Sequence, residues 1–248
     1  MNLLAFDTST ESMSIALGCG PQLWEHTGAG GAQASATLIP AIQALMAQAG
    51  LAFADLDAIA FGSGPGSFTG LRTACSVAQG LAFGASATFQ PGASAECSVP
   101  VLPVDTLLAI AEEARHQHGV HRVVALLDAR MDEIYVADYV FERGQWSQQE
   151  DFRLVRPEAL ALPPGWTLAG NAMAVYGARL PPAAPGLAHL HTLPTAAAML
   201  RLAPALLAAG LGLPADQALP RYIRDKVAKT TDERAAEKAA ALQTLKTP

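Results

Sequence analysis

Residues 62–72 read Gly62-Ser-Gly-Pro-Gly-Ser-Phe-Thr-Gly-Leu-Arg72, and the rest of the chain is best read outward from them. Four glycines and a proline within residues 62–70 specify a backbone path that most side chains would block. The stretch follows a short apolar run, Ala58 to Phe61, and opens a helical pattern from Phe68. It therefore reads as a strand-to-helix junction, where α/β proteins most often place a ligand or a partner. Behind it Leu71, Cys75, Ala78 and Leu81 recur at helical spacing, while Thr73, Ala74, Gly80, Ala82 and Gly84 leave almost no bulky polar face. A helix small or apolar on nearly every side is covered on nearly every side, by its own fold or by another subunit.

Upstream, Leu3–Phe6, Ser14–Leu17 and Leu23–His26 read as three strands of a meander, and Ser35–Ala49 as a helix with Leu38, Ile42 and Leu45 on one stripe. No charged side chain occurs between His26 and Asp55, so this helix too is unusually apolar. Downstream, residues 85–98 read as a loop, Val99–Val104 as a strand and Leu107–His118 as a helix. Arg122–Leu127 and Glu133–Phe141 read as strands, and Trp146–Leu154 continues the sheet. Beyond Pro157 the pattern weakens to a strand at Thr167–Ala169 and helices at Ala172–Leu180 and Thr195–Ala209. A meander followed by alternating strands and helices predicts an α/β protein with a mixed sheet, repeated in a poorer second lobe starting near residue 105.

Composition narrows the function. With 248 residues the chain has ample core for two lobes, and 51% hydrophobic against 15% charged residues leaves its surface thinly charged. No run of about 18 uninterrupted apolar residues predicts a membrane span. The N-terminus lacks the basic start of a signal peptide. Cys19, Cys75 and Cys97 form no Cys-x-x-Cys pair, which fits a reduced, cytoplasmic protein. A net charge of −6 with only 16 Lys and Arg argues against a protein that grips nucleic acid unaided.

Candidate chemistry is sparse. The turn Asp7-Thr8-Ser9-Thr10 follows the first strand, where two-lobe nucleotide-binding folds place a phosphate-cradling hairpin, yet it lacks the usual glycine and also reads as an ordinary hydrogen-bonded turn. His116, His118 and His121 cluster at a helix end without metal-ligand spacing. The charged turn around Asp128 and Arg130 reads as solvated or as partner-facing. No Gly-x-Ser-x-Gly elbow, Ser-His-Asp set or Gly-Lys-Ser/Thr loop is present.

Four segments, Leu4-Ala-Phe-Asp-Thr-Ser-Thr10, Gly64-Pro-Gly-Ser-Phe-Thr-Gly-Leu-Arg72, Asp128-Ala-Arg-Met131 with Tyr135, and Pro220-Arg-Tyr-Ile-Arg224, resemble in order and spacing the bacterial TsaB (YeaZ) proteins. The resemblance implies an actin-like ATPase fold (ASKHA, ribonuclease H-like). On this expectation residues 1–104 form the first, pairing lobe, 105–228 a reduced second lobe and 229–248 a charged tail. It implies a non-catalytic scaffold, without cofactor or metal, for making threonylcarbamoyladenosine beside the anticodon of tRNA. Its partners would be the paralogue TsaD and the ATPase TsaE, with a homodimer when alone and tRNA contacted mainly through partners. It implies a partner surface at Leu38, Ile42, Leu45, Ser67, Phe68, Thr69, Leu71, Arg72, Cys75 and Ala78, and a vestigial phosphate loop at Asp7, Thr8 and Ser9. TsaD carries a His-x-x-x-His metal pair, where this chain has Ala34-Ser35-Ala36-Thr37-Leu38. Residues 85–98 resemble an insertion. The rival reading is a free-standing ATPase or phosphotransferase using Asp7 and Thr8, with Gly170-Asn171 serving the second lobe. A protease would need a nucleophile and base that the sequence does not supply.

Overall fold

The computed structural model describes residues 1–86, 99–183 and 189–224. Three strands, β1 (Asn2–Asp7), β2 (Ser12–Cys19) and β3 (Gln22–Ala29), form an antiparallel meander. Then α1 (Ala34–Ala49) crosses to β4 (Ala58–Gly64), which pairs parallel with β1, and α2 (Phe68–Ser86) precedes β5 (Val101–Asp105), parallel to β4. The first sheet is thus ordered β3-β2-β1-β4-β5.

After α3 (Thr106–His118), strand β6 (Arg122–Arg130) turns into antiparallel β7 (Glu133–Glu142), followed by β8 (Gln145–Gln148) and β9 (Arg153–Val155), both paired with β7. The segment expected as one strand over Trp146–Leu154 is therefore two short ones. Strand β10 (Thr167–Gly170) returns parallel to β6, the short helix α4 (Ala172–Tyr176) follows, and β11 (Leu190–His191) closes the edge. The expected helix to Leu180 stops at Tyr176, where Gly177 turns the chain into a single 3-10 turn. The second sheet, β11-β10-β6-β7-β8, repeats the order of the first with a five-residue helix where the first lobe has a nineteen-residue one.

Burial explains the layering. Every residue of β4 is buried, as for a central parallel strand with helices on both faces. On one face Leu38, Ile42, Leu45, Ala74 and Ala78 of α1 and α2 pack on Phe6, Ile15 and Phe61. On the other, α5 (Ala196–Ala208) puts Ala196, Met199 and Leu202 against Leu3, Ala5 and Ala60. Helix α3 ends at Gly119, in the left-handed conformation glycine favours, and carries Leu107, Ile110 and Ala114 onto the second sheet. The first sheet's last strand ends at Asp105 and α3 begins at Thr106, while α5 and the segment around Leu213 and Ala218 return to the first sheet. Leu213 bridges to Val101, and Ala218 joins the first core. Within the described residues 105–224, α5 and this segment thus pack on the first lobe. Most of the 85–98 stretch and all of the 229–248 tail lie outside the described residues.

Candidate functional site

Between the lobes lies a cavity of about 430 Å³ whose walls are the motif segments themselves. Ser9–Glu11 and Pro65–Phe68 come from the first lobe, Leu127–Met131, Tyr135 and Asn171 from the second, and Arg221–Arg224 close it. Segments more than 200 residues apart in sequence meet here: the chain following β1 and β4, the end of β6 and residues Arg221–Arg224 all reach the cavity.

The first wall is built by close approach of two backbones. Gly64 has φ +126°, a conformation side chains rarely adopt, and a Cβ there would lie 2.5 Å from the Arg221 carbonyl. At Gly70 a Cβ would lie 1.9 Å from the Thr8 carbonyl oxygen. The glycine loop therefore sits directly on the Asp7–Thr10 turn: Ser67 N donates to Ser9 O at 2.8 Å, and Thr8 Oγ1 donates to Gly70 O at 2.7 Å. Asp7 Oδ1 accepts from Ser9 N (2.9 Å) and Ser9 Oγ (2.7 Å), while its Oδ2 is buried without a partner, facing Gly62 and the Met199 methyl. Complete burial pushes the Asp7 carboxyl up to about 6, against the pull of the Ser9 bonds. As a phosphate cradle this turn is thus occupied by the protein itself. Asp7 and Thr8 are fully buried and Ser9 nearly so, and the hydroxyls that would meet a phosphate bind protein oxygens.

The second wall is a β-hairpin tip. Arg130, Met131 and Asp132 all have positive φ, at 63°, 56° and 60°, in a turn where glycine or asparagine is usual. Asp128 holds that turn: its Oδ1 accepts from Arg130 N (2.8 Å) and Tyr176 Oη (2.9 Å), and Oδ2 pairs with Arg130 (3.2 Å). Asn171 Oδ1 accepts from Asp128 N at 2.9 Å. Burial, with the hydrogen bond to Asp128 adding to it, pushes the Tyr176 phenol up to about 12.

The third wall is a strap, residues 218–224, laid across α2 and both lobes. Cys75 Sγ and Gln79 Nε2 donate to Ala218 O, and Arg221 N donates to Ser63 O at 2.7 Å. Arg72 Nε donates to Tyr222 Oη at 2.9 Å while its guanidinium stacks 3.8 Å from the Phe68 ring centre. On the other lobe Arg224 pairs with Glu133 at 2.5 Å and reaches the Arg130 carbonyl and Met131 sulfur, leaving Nε buried without an acceptor. Tyr176 and the strap's role as a clasp were not assigned from sequence, although the Pro220–Arg224 motif marked the place; Asn171, read there only as serving a nucleotide site, instead accepts from Asp128 N.

A second feature adjoins the cavity: the outward face of α1 and α2, which lie side by side on the first sheet. Here the expected partner residues divide. Ser67, Phe68, Thr69 and Arg72 are exposed. Leu38, Ile42, Leu45, Leu71, Cys75 and Ala78 are not; at 0–5% exposure they are consumed by the chain's own core and have no area left for a partner. The correction has a simple cause: an apolar stripe at helical spacing is what a helix needs to sit on its own sheet. The residues facing out are instead Ala36, Ile39, Pro40, Gln43 and Ala44 on α1, with Ser76, Gly80 and Phe83 on α2. Arg72 is the only charged side chain in either helix. Among the described residues no three of His, Cys, Asp and Glu gather as a metal site, and no helix is long and apolar enough to cross a membrane.

Comparison with known proteins places these features in context. The family TsaD, tRNA N6-adenosine threonylcarbamoyltransferase, matches residues 31–244. The tRNA threonylcarbamoyladenosine biosynthesis protein TsaB of Escherichia coli K12 is 32% identical over 243 residues, covering 92% of this chain and 96% of that protein. TsaB of Haemophilus influenzae is 39% identical over 143 residues, 58% of this chain and 56% of that one. The solved structure of YeaZ from Pseudomonas aeruginosa superposes with a TM-score of 0.78 at 37% identity, covering 90% of this chain and 99% of that one.

Proposed function

The chain belongs to the TsaB (YeaZ) family of tRNA threonylcarbamoyladenosine biosynthesis proteins, and from that premise we propose that it is a non-catalytic scaffold of this modification, pairing with a TsaD-type subunit and recruiting TsaE. The observation that carries the proposal is the outer face of α1 and α2, which carries a single charge, Arg72, with Ile39 and Phe68 about 40% exposed and small residues around them. A soluble surface of two adjacent helices with one charge between them is the kind that a partner covers. Small side chains at Ala36, Ala44, Ser76 and Gly80 let a second helix pair approach closely. In the absence of TsaD the same face would serve a second copy, giving an isologous dimer. We place the protein in the cytoplasm, with tRNA contacted mainly through the partners, since its net charge is −6.

The rival, a phosphotransferase built on Asp7 and Thr8, loses support from the committed hydroxyls and the inward-facing Asp7 carboxylate. Calorimetric titration with ATP and magnesium separates the readings, because a scaffold takes up no heat attributable to this turn. The pairing surface is tested by two neighbours on α1. Ala44→Glu puts a charge on the outer face and leaves the fold within about 0.5 kcal/mol of the parent, while pairing with TsaD weakens by about tenfold or more, as an unpaired charge enters an apolar contact. Leu45→Glu puts the charge in the core and unfolds the first lobe. An Ala44→Glu protein that pairs as well as the parent contradicts the surface.

A further inference from the structure

The outward stripe of α2 carries one charge, and that charge is held in place. Phe68 and Arg72 stand one turn apart, and the Arg72 guanidinium lies 3.8 Å from the Phe68 ring centre and 6.0 Å from that of Tyr222. The two rings pack on each other at 5.4 Å, and Arg72 Nε donates to Tyr222 Oη at 2.9 Å. Next to Tyr222, the backbone N–H of Arg221 donates to Ser63 O, which ties the strap to β4. Stacking and that hydrogen bond occupy one face and one N–H of the guanidinium. Its two terminal nitrogens have no hydrogen-bond or ion-pair partner among the described residues, and Arg72 is exposed. A free arginine loses rotamers when a partner fixes it; here the aromatic pair has already restricted them. The planar end that remains fits a carboxylate through two parallel N–H···O bonds.

The surroundings sharpen the argument. Ile39, Ala44, Ser76, Gly80 and Phe83 share the outer face, and neither α1 nor α2 contains Asp or Glu. A second copy therefore brings an apolar face and another Arg72 to the contact, with no carboxylate from these helices. Covering the guanidinium that way strips its water and returns no opposite charge, which disfavours self-pairing. A partner with a carboxylate at that point is favoured by the same charge.

We propose that Arg72 selects an unlike partner over a second copy of this chain, and that the partner presents an Asp or Glu carboxylate set in an apolar face. The carboxylate is received by the terminal nitrogens of Arg72, which Phe68 and Tyr222 hold in position. The inference rests on the pairing function proposed above and adds to it the chemistry of the opposite surface. It also gives the exchange a direction. The self-paired form leaves two guanidinium groups uncompensated and the mixed pair leaves none, so exchange runs toward the mixed pair.

The test is sedimentation analysis of the full chain, alone and titrated with a TsaD-type subunit, for the parent, Arg72→Met, Arg72→Lys and Ala44→Glu. Methionine keeps an unbranched stem at an exposed helical position, so the fold is preserved. Arg72→Met weakens the mixed pair by about tenfold or more and leaves self-pairing unchanged or tighter. Arg72→Lys keeps the charge without the planar fork and falls between. Ala44→Glu, which probes the surface itself, weakens both assemblies. A mixed pair that Arg72→Met leaves as tight as the parent's, with Ala44→Glu still disruptive, overturns the role of Arg72 and spares the pairing reading. So does an Arg72→Met protein whose two assemblies weaken alike, because Arg72 then acts by packing. A parent chain that forms no mixed pair overturns the pairing reading and this inference together.

Discussion

Helix α2 contains two glycines on which one substitution has opposite consequences. Replacing a helical glycine by alanine gains about 1 kcal/mol of helix propensity. At Gly80 an added Cβ meets nothing within 4 Å, so the gain is kept and Gly80→Ala raises Tm by about 2–4 °C for a chain of this size. At Gly70 the same methyl would lie 1.9 Å from Thr8 O and 2.8 Å from Thr8 C. Both are backbone atoms, which no rotamer change relieves. Either the start of α2 or the Asp7–Thr10 turn retreats, straining the Thr8 Oγ1 to Gly70 O and Ser67 N to Ser9 O bonds. Overpacking costs about 1–3 kcal/mol and each lost bond about 1 kcal/mol, so after the propensity gain Gly70→Ala falls by about 2–4 kcal/mol, or roughly 10 °C. The assay is calorimetric melting of the parent and both variants, dilute enough that self-pairing contributes nothing. A Gly70→Ala protein as stable as the parent refutes the close approach of the two loops; equal losses at both positions refute the contrast between them.

Other expectations concern the buried carboxylates and can be checked in the same instrument. Asp7 has its carboxyl raised to about 6 from an ordinary 3.8, so the folded state holds its proton more tightly than the unfolded chain. The stability this contributes is complete below about pH 4 and is lost as pH rises through about 6. Relative to Asp7→Asn, the parent therefore weakens by about 3 kcal/mol across that window and stays level above it; a pH-independent difference between the two rules this out. Asp105, also raised to about 6 by burial, accepts a hydrogen bond from Tyr139 Oη on the opposite lobe. Tyr139→Phe costs about 1.5–3 kcal/mol at pH 7, where the carboxylate is charged, and less near pH 4, where it is not. A loss that is equal at both pH values would mean that the charged form gains nothing from the phenol.

Much of the architecture was legible because its signals are local. The three short strand-like runs within Leu3–His26 mark the meander, and the glycine loop marks the end of β4 and the start of α2. Helix phase was another matter. In α1 the alanines at 34 and 49 face inward while those at 36, 44 and 47 face out, and without charged residues nothing in the sequence distinguishes the sides. The stripe Leu38-Ile42-Leu45 was visible, but a partner and the chain's own sheet demand the same pattern, and the sheet took it. The cavity depends on sequence separations that no pattern reports: Arg224 meets Glu133, and Arg221 meets Ser63. The Asp7 turn looked like a phosphate loop because its residue types are right; only the tertiary approach of Gly70 shows that its hydroxyls are already bonded.

The central claim is that this chain acts by pairing, and its most direct test is the light-scattering mass of the purified protein, alone and mixed with a TsaD-type subunit. The account predicts a dimer of the 25.7 kDa chain that exchanges into a one-to-one heterodimer, with both assemblies weakened by Ala44→Glu. A monomer whose mass is unchanged by the TsaD-type subunit would contradict it.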